Sequence, residues 1–443
     1  MAKRRRRQKL PQDPIQVTIE SLSHEGRGIA KVEGKTVFVD GGLTDEVVTC
    51  RYTKIKKHYD EAIVTEVISA SPDRVTAPCT HFGVCGGCSL MHMAPQAQLE
   101  LKQKTLAEQL QHFGQLQPQQ WLQALTGPVL GYRRKARLGV KYIIKKERLV
   151  VGFREKRSPY LALLDSCSVL DPRVGQRLAD LSRLVATLSI YDQIAQIEVA
   201  MDDTQVALVW RHLAPLSLAD KEKMIAFAKA NQFMFYLQSG GPDTVTPLWP
   251  EQGQLHYQPE TGIDLQFSPN DFTQVNASVN EKMLQQAMTL LALSSEDKVL
   301  DLFCGLGNFT LPIARRVKQV IGVEGDASLV QHAKENAWRN DLQHVQFELA
   351  DLTQIALQDY PWAQGGFDKV LLDPPRSGAL EVMSQLAALK VKRIVYVSCN
   401  PATLARDTGV LVNEYGYQLI QAGIMDMFPH TSHVESMAVL TLA

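Results

Sequence analysis

Val299-Leu-Asp-Leu-Phe-Cys-Gly-Leu-Gly-Asn308 is the stretch whose reading decides the fold. An apolar run carries Asp301 into a turn holding Gly305 and Gly307, and Asn308 stands where a helix would begin. Glycines at such a turn let the backbone approach a ligand closely. Outward from it, residues 319–323, 345–349, 369–372 and 393–397 read as further strands beside 299–303. Helical patterns at 280–293, 308–317, 327–339, 379–389 and 401–415 fall between them, and 436–442 reads as a last, closing strand. Strands alternating with helices predict a doubly wound, Rossmann-like α/β sheet over residues 265–443, with its site outside the carboxyl ends of the strands.

The 443 residues leave room for more than that domain. Residues 15–70 hold short alternating segments such as Thr36-Val-Phe-Val39, punctuated by Gly26, Gly28, Gly34 and Gly41, and predict a small OB-like β-barrel. Barrels of this kind often hold single-stranded nucleic acid. Residues 71–264 read as a central α+β domain, carrying a Cys-rich loop at 79–88 and a helix from Pro95 to about Phe113. Residues 1–14 form a basic tail, with six Lys/Arg in the first nine positions. Residues 132–157 hold eleven Lys/Arg against Glu147 and Glu155, a net of +9 in a chain whose formal charge is zero. Basic patches on an acidic body fit a polyanion-binding face. No apolar run reaches the length of a membrane span, and the basic start lacks the apolar core of a secretion signal. A cytoplasmic monomer with no membrane partner is expected.

Asp373-Pro-Pro-Arg376 and Ser398-Cys-Asn-Pro401 also follow predicted strands, so three strand ends present polar groups. Glu324 ends the second strand 23 residues after Asp301, a spacing at which an acid hydrogen-bonds ribose hydroxyls. A nicotinamide enzyme would share Gly-x-Gly, but the third glycine of that fingerprint is missing. Asp351, after a third strand, stands where an adenine amino group could be read. The pattern favours S-adenosylmethionine. Cys399 brings a strong, polarisable nucleophile suited to adding to C6 of a pyrimidine, which turns C5 into a carbon able to take a methyl group. A base must then remove the C5 proton, and Glu435, at the end of the polar cluster His430-Thr-Ser-His-Val-Glu435, is the candidate. A buried structural thiol is the competing reading of Cys399. Asn400-Pro401 behind it and the cofactor motifs ahead of it weigh against that.

Cys79, Cys85 and Cys88 crowd one loop, and Cys167 is the other Cys of the central region. Four thiolates suit a zinc ion or an iron–sulfur cluster, and the spacing leaves both open. Gly83, Gly86 and Gly87 would let the loop wrap either one. Cys50 and Cys304 read as structural. Seven Cys without a secretion signal argue against a disulfide framework.

With these residues in view the chain resembles the RNA uracil-C5 methyltransferases over nearly its whole length, and among them the branch acting on large-subunit rRNA. The resemblance is carried by Phe272-x-Gln274-x-Asn276, by Asp301 to Phe309, by Asp373 to Arg376, by Ser398 to Pro401 and by His433-Val-Glu435. No position of these motifs departs from the family pattern. It implies a TRAM barrel at the N-terminus and an S-adenosylmethionine-dependent methyltransferase domain at the C-terminus. It implies Cys399 as nucleophile, Glu435 as base, and Gln274, Phe303, Asn308, Glu324, Asp351 and Asp373 as cofactor contacts beside Gly305 and Gly307. It also implies a [4Fe–4S] cluster on Cys79, Cys85, Cys88 and Cys167. Barrel and cluster together imply 5-methyluridine at position 1939 of 23S rRNA as the product. Two other functions remain to be set against this. Amino-group methylation of a base uses Asp-Pro-Pro with an aromatic residue where Arg376 stands, and a non-catalytic RNA-binding assembly factor would leave the site idle.

Overall fold

The computed structural model describes residues 10–11, 13–352 and 357–443, so the basic run at the start of the predicted tail lies outside the described residues. The chain forms two compact units, Met1–Thr105 with Phe428–His433, and Leu106–Met427 with Val434–Ala443.

In the first unit, β1 (Ile15–Thr18), β2 (Ser21–Leu22), β3 (Gly28–Val32), β4 (Lys35–Asp40), β5 (Val47–Ile55) and β6 (Tyr59–Ser69) pair in the order β1-β5-β6-β4-β3-β2. Alternation along these strands sends Val17, Ala30, Val37, Val39, Val48, Cys50 and Ala62 into one apolar core. Cys50 is thus a core residue, as its sequence position suggests. Glu46, fully buried, closes the exit of the barrel. Its carboxylate accepts from the Leu43 amide (2.8 Å), the Ser71 amide (3.2 Å) and Arg74 Nε (2.5 Å). Burial works against its charge, yet the Arg74 pairing and the two amides hold it below the usual carboxylate range. After the Cys-rich loop, the His430 carbonyl accepts the amides of Ser89 and Leu90, each at 2.9 Å. The His430 amide donates to Gln98 Oε1 (2.8 Å), on the first turns of α1 (Pro95–Gln109).

The second unit opens with the end of that helix, a wider turn at Leu110–Gly114, and the short β7 (Gln120–Trp121). There follow β8 (Lys135–Ile143), β9 (Arg148–Gly152), α2 (Pro172–Gly175), α3 (Leu178–Ala186), β10 (Ile194–Met201), β11 (Val206–His212), α4 (Leu218–Asn231), β12 (Phe233–Gln238) and β13 (Val245–Trp249). Their strands make a mixed sheet, β13-β12-β11-β10-β8-β9. Only β11 and β12 run parallel, and α4 crosses between them, started by a capping box of Ser217 and Asp220. The hairpin of β14 (Leu255–Glu260) and β15 (Ile263–Phe267) leads into the last sheet.

That sheet is built from β16 (Lys298–Leu302), β17 (Gln319–Glu324), β18 (Val345–Leu349), β19 (Lys369–Leu372), β20 (Arg393–Ser398), β21 (Tyr417–Met425) and β22 (Glu435–Leu442). With α5 (Ala277–Leu291), α6 (Thr310–Ala314), α7 (Ala327–Arg339), α8 (Leu380–Ala388) and α9 (Pro401–Tyr415) it is the predicted doubly wound domain. The order is β18-β17-β16-β19-β20-β22-β21-β7. Three details differ from the sequence expectation. The closing strand is interior: β22 inserts antiparallel between β20 and β21. The strand β21 went unread because a bulge between Leu419 and Gln421 breaks its alternation and Gly423 interrupts it. Glycine is needed there, since a Cβ would sit 2.7 Å from Leu122 Cβ. The helix expected at 308–317 shrinks to Thr310–Ala314, because the turn before it runs on through Asn308.

One apolar cluster ties the mixed sheet to the β14–β15 hairpin and the glycine turn, joining Ala200, Val209 and Met234 to Leu255, Phe267 and Leu306. Among the described residues no helix is long and apolar enough to cross a membrane.

Candidate active site

The strand β16 lies between β17 and β19, where the winding of the sheet reverses, and the crevice outside its carboxyl end is the site such sheets offer a ligand. The chain leaves β16 through three left-handed residues, Phe303 (φ 63°), Gly305 (φ 55°) and Gly307 (φ 90°). For an aromatic residue that conformation is strained and has to be held by its surroundings. A Cβ on Gly305 would meet nothing within 4 Å, so the turn is open on that side. Glu324, at the end of β17, accepts the Gly305 amide on Oε2 (3.0 Å) and the amides of Gly325 (2.8 Å) and Asp326 (3.1 Å) on Oε1. Asn308 accepts the Tyr257 hydroxyl (3.1 Å) and exchanges amide hydrogen bonds with Asn280 (3.1 and 3.3 Å). Tyr257, Asn280 and Gln274 line one cavity of about 270 Å³. Asp351 is exposed just past β18, next to Ala350, whose amide donates to the Glu324 carbonyl (3.0 Å).

The crevice is acidic and short of partners. Asp301 is fully buried; Oδ2 accepts the Thr310 hydroxyl (2.5 Å), while Oδ1 has no partner among the described residues. Burial, opposed by the Thr310 bond and reinforced by the charges of Asp373 and Glu324, pushes its carboxyl up to about 8. Burial likewise pushes Asp373 up to about 7. Cys304 is buried in the turn.

Cys399 follows the last residue of β20 and is half-buried. Ser398 Oγ accepts the Asn400 amide (3.1 Å), and Asn400 caps α9 through the Ala402 amide (3.2 Å), so the residues on either side of the thiol are pinned. Burial, then the nearby charges of Glu435 and Asp373, push the thiol up to about 11, with Arg376 pulling the other way. Thiol, candidate base and two acid or basic side chains of the 373–376 loop therefore share one electrostatic neighbourhood. His430 and His433, grouped with Glu435 in sequence, belong to the other unit.

Of the four cysteines set aside as ligands, Cys79, Cys85 and Cys88 belong to the first unit and Cys167 to the second. The Gly87 amide donates to Cys85 Sγ at 3.4 Å, a contact that suits a thiolate. Among the described residues no three His, Cys, Asp or Glu side chains are arranged as a metal-holding group.

Comparison with known proteins decides the family. The model of the tRNA (Uracil-5-)-methyltransferase family matches residues 260–442, and that of the TRAM domain matches residues 13–65. The 23S rRNA (uracil(1939)-C(5))-methyltransferase RlmD of Alkalilimnicola ehrlichii is 55% identical over 437 residues, covering 98% of both chains. That of Nitrosococcus oceani is 53% identical over 440 residues, covering 99% of this chain and 98% of its own. This chain belongs to the RlmD family of RNA uracil-C5 methyltransferases. Its fold matches the Pyrococcus abyssi tRNA (uracil-54, C5)-methyltransferase, solved with S-adenosyl-L-homocysteine, at a TM-score of 0.74 and 23% identity over 96% of this chain and 99% of that one. Family membership accounts for the TRAM barrel and for a methyltransferase-type sheet.

Several residues that hold the site were not singled out from sequence. Thr310, Tyr257 and Asn280 each bond a motif residue, Asp301 in the first case and Asn308 in the others. Asn280 had a readable signal, as an Asn on the buried side of an amphipathic helix. Tyr257 had none, being one of several aromatic residues in a hairpin.

Proposed function

We propose that this protein transfers a methyl group from S-adenosylmethionine to C5 of a uridine in 23S rRNA, at position 1939, through a covalent bond between Cys399 and C6 of the uracil. The observation that carries this reading is the end of the β20–β22 ladder at Ser398 and Ser436, one residue from Cys399 and from Glu435, beside an acidic crevice at the switch point of the sheet. A buried carboxylate with an unused oxygen, an open glycine turn and an acid at the end of β17 fit a cationic ligand that carries a ribose. Gln274, Phe303, Gly305, Gly307, Asn308, Glu324, Asp351 and Asp373 are the groups assigned to it. When bound, S-adenosylmethionine supplies an electrophilic methyl group and departs as a neutral thioether.

The chain's own residues do the rest. Cys399 loses its proton to water as Sγ bonds to C6, and the C5–C6 electron pair moves toward O4. The resulting nucleophilic C5 takes the methyl group. Glu435 then removes the hydrogen left on C5; that electron pair restores C5=C6, and the C6–Sγ bond breaks to return the thiolate. Since C6 is out of reach in a stacked base, the uridine has to leave its stack. The barrel and the +9 segment at 132–157 are the surfaces assigned to the RNA backbone.

Cys79, Cys85, Cys88 and Cys167 are the residues that the family resemblance assigns to a [4Fe–4S] cluster, and four thiolates are a donor type that suits one. No step of methyl transfer runs through it.

The deciding experiment uses 5-fluorouridine RNA, whose C5 fluorine blocks the last step. A protein–RNA adduct that survives denaturation and maps to Cys399 is the expected result. Methylated RNA without such an adduct would point to amino-group methylation instead.

A further inference from the structure

Side chains of α9 and of its N-cap Asn400 hold three positions of the loop between Asp373 and Ala379. Asn400 Nδ2 donates to the Arg376 carbonyl (3.0 Å) and Arg406 Nη2 to the Ser377 carbonyl (2.9 Å). Asp407, fully buried, accepts the Ala379 amide on Oδ2 (2.8 Å). That same oxygen accepts the Tyr396 hydroxyl (2.7 Å), and Oδ1 accepts Arg406 Nε (2.7 Å). The loop comes as near as glycine allows: at Gly378 (φ 80°) a Cβ would stand 2.5 Å from Asp407 Oδ2. A carboxylate used only to settle α9 would have no reason to reach a loop amide. The backbone is thereby fixed at Arg376, whose carbonyl is bonded to the neighbour of Cys399 and whose charge works against the upward push that burial, Glu435 and Asp373 give that thiol.

We propose that Asp407 is a positioning residue: it holds the 376–379 loop so that the Arg376 guanidinium stays against Cys399 and eases formation of its thiolate. The inference rests on Cys399 being the nucleophile, but its readout does not require methyl transfer.

The test is alkylation of Cys399 by iodoacetamide, followed by peptide mass mapping from pH 7 to 10, on the full chain without RNA. Arg376→Ala and Asp407→Asn should each slow alkylation at pH 8 by about three- to tenfold, as loss of an opposing charge predicts. Tyr396→Phe, which removes one bond to Asp407 and keeps the packing, should slow it less but in the same direction. In an Arg376→Ala background, Asp407→Asn should add nothing further, because both act through one cation. An unchanged profile in folded Asp407→Asn and Tyr396→Phe, or full additivity of the two charge changes, overturns the proposal. Should Asp407→Asn fail to fold, Tyr396→Phe with and without Arg376→Ala makes the same comparison. Loss of methyl transfer in Asp407→Asn with a normal alkylation profile would overturn this proposal and leave the nucleophile untouched, whereas a 5-fluorouridine adduct mapping to another residue would overturn Cys399 as nucleophile.

Discussion

Ser398 and Ser436 are the last pair of the antiparallel ladder between β20 and β22, and Ser436 Oγ donates to the Ser398 carbonyl at 3.4 Å. The next positions outward on the two strands are Cys399 and Glu435. Thirty-six residues apart in sequence, they are brought to the same end of that ladder by strand register. Side chains alternate along a strand, so a slip of one residue would turn one of the two to the other face.

Glu435→Gln separates the two halves of the proposed reaction. Without the base, the C5 proton stays and the thiol cannot leave, so the variant should accumulate a stable complex with ordinary methylated RNA. Cys399→Ala should form none and lose transfer by about 10⁴-fold or more. Gel-shift under denaturing conditions checks both; an adduct in Cys399→Ala would overturn the assignment.

The thiol itself should titrate high. With Cys399 pushed up to about 11, alkylation in the absence of RNA should rise roughly tenfold per pH unit from 7 to 10 and level off near 11. A plateau reached by pH 8 would contradict the acidic surroundings described for it.

Asp301 makes the unliganded fold sensitive to base. Its carboxyl rises from 3.8 to about 8 on folding, so the neutral form is the one the folded state favours. That contribution is complete below about pH 4 and is lost as pH rises through the folded value. Asp301→Asn should therefore raise the unfolding temperature at pH 8 by at least about 2–4 °C, with a smaller gain at pH 5, while impairing methyl transfer. Scanning calorimetry at the two pH values gives the comparison.

Glu46 behaves in the opposite sense. Its carboxyl is held low, so its contribution is present above the unfolded value near 4.5 and disappears as pH falls through the folded one. Arg74→Ala strands a fully buried carboxylate and should cost about 3–5 kcal/mol, read by urea unfolding at neutral pH.

Protein purified without oxygen should carry about four iron atoms per chain if the cluster assignment holds. Cys88→Ala should lose iron and the visible absorbance together. Stoichiometric zinc in the wild type would replace the cluster with the other ligand that four thiolates suit.

Much of the catalytic half was legible in sequence because its code is local. The five parallel strands are short apolar runs, each ended by a polar motif, and all five lie within a residue of the expected bounds at each end, as for Lys369–Leu372. Barrel strands declared themselves by alternation and glycine. Fold class, the candidate thiol and the glycine turn therefore follow from neighbours along the chain. Tertiary structure alone decided the approach of Glu435 to Cys399 at the end of the β20–β22 ladder, the interior place of β22, and the buried grip of Asp407 on a loop 28 residues away. Each of these depends on which distant segments share a hydrogen-bond ladder or a buried carboxylate. No local preference encodes that; the collapse of the whole sheet and its helices does.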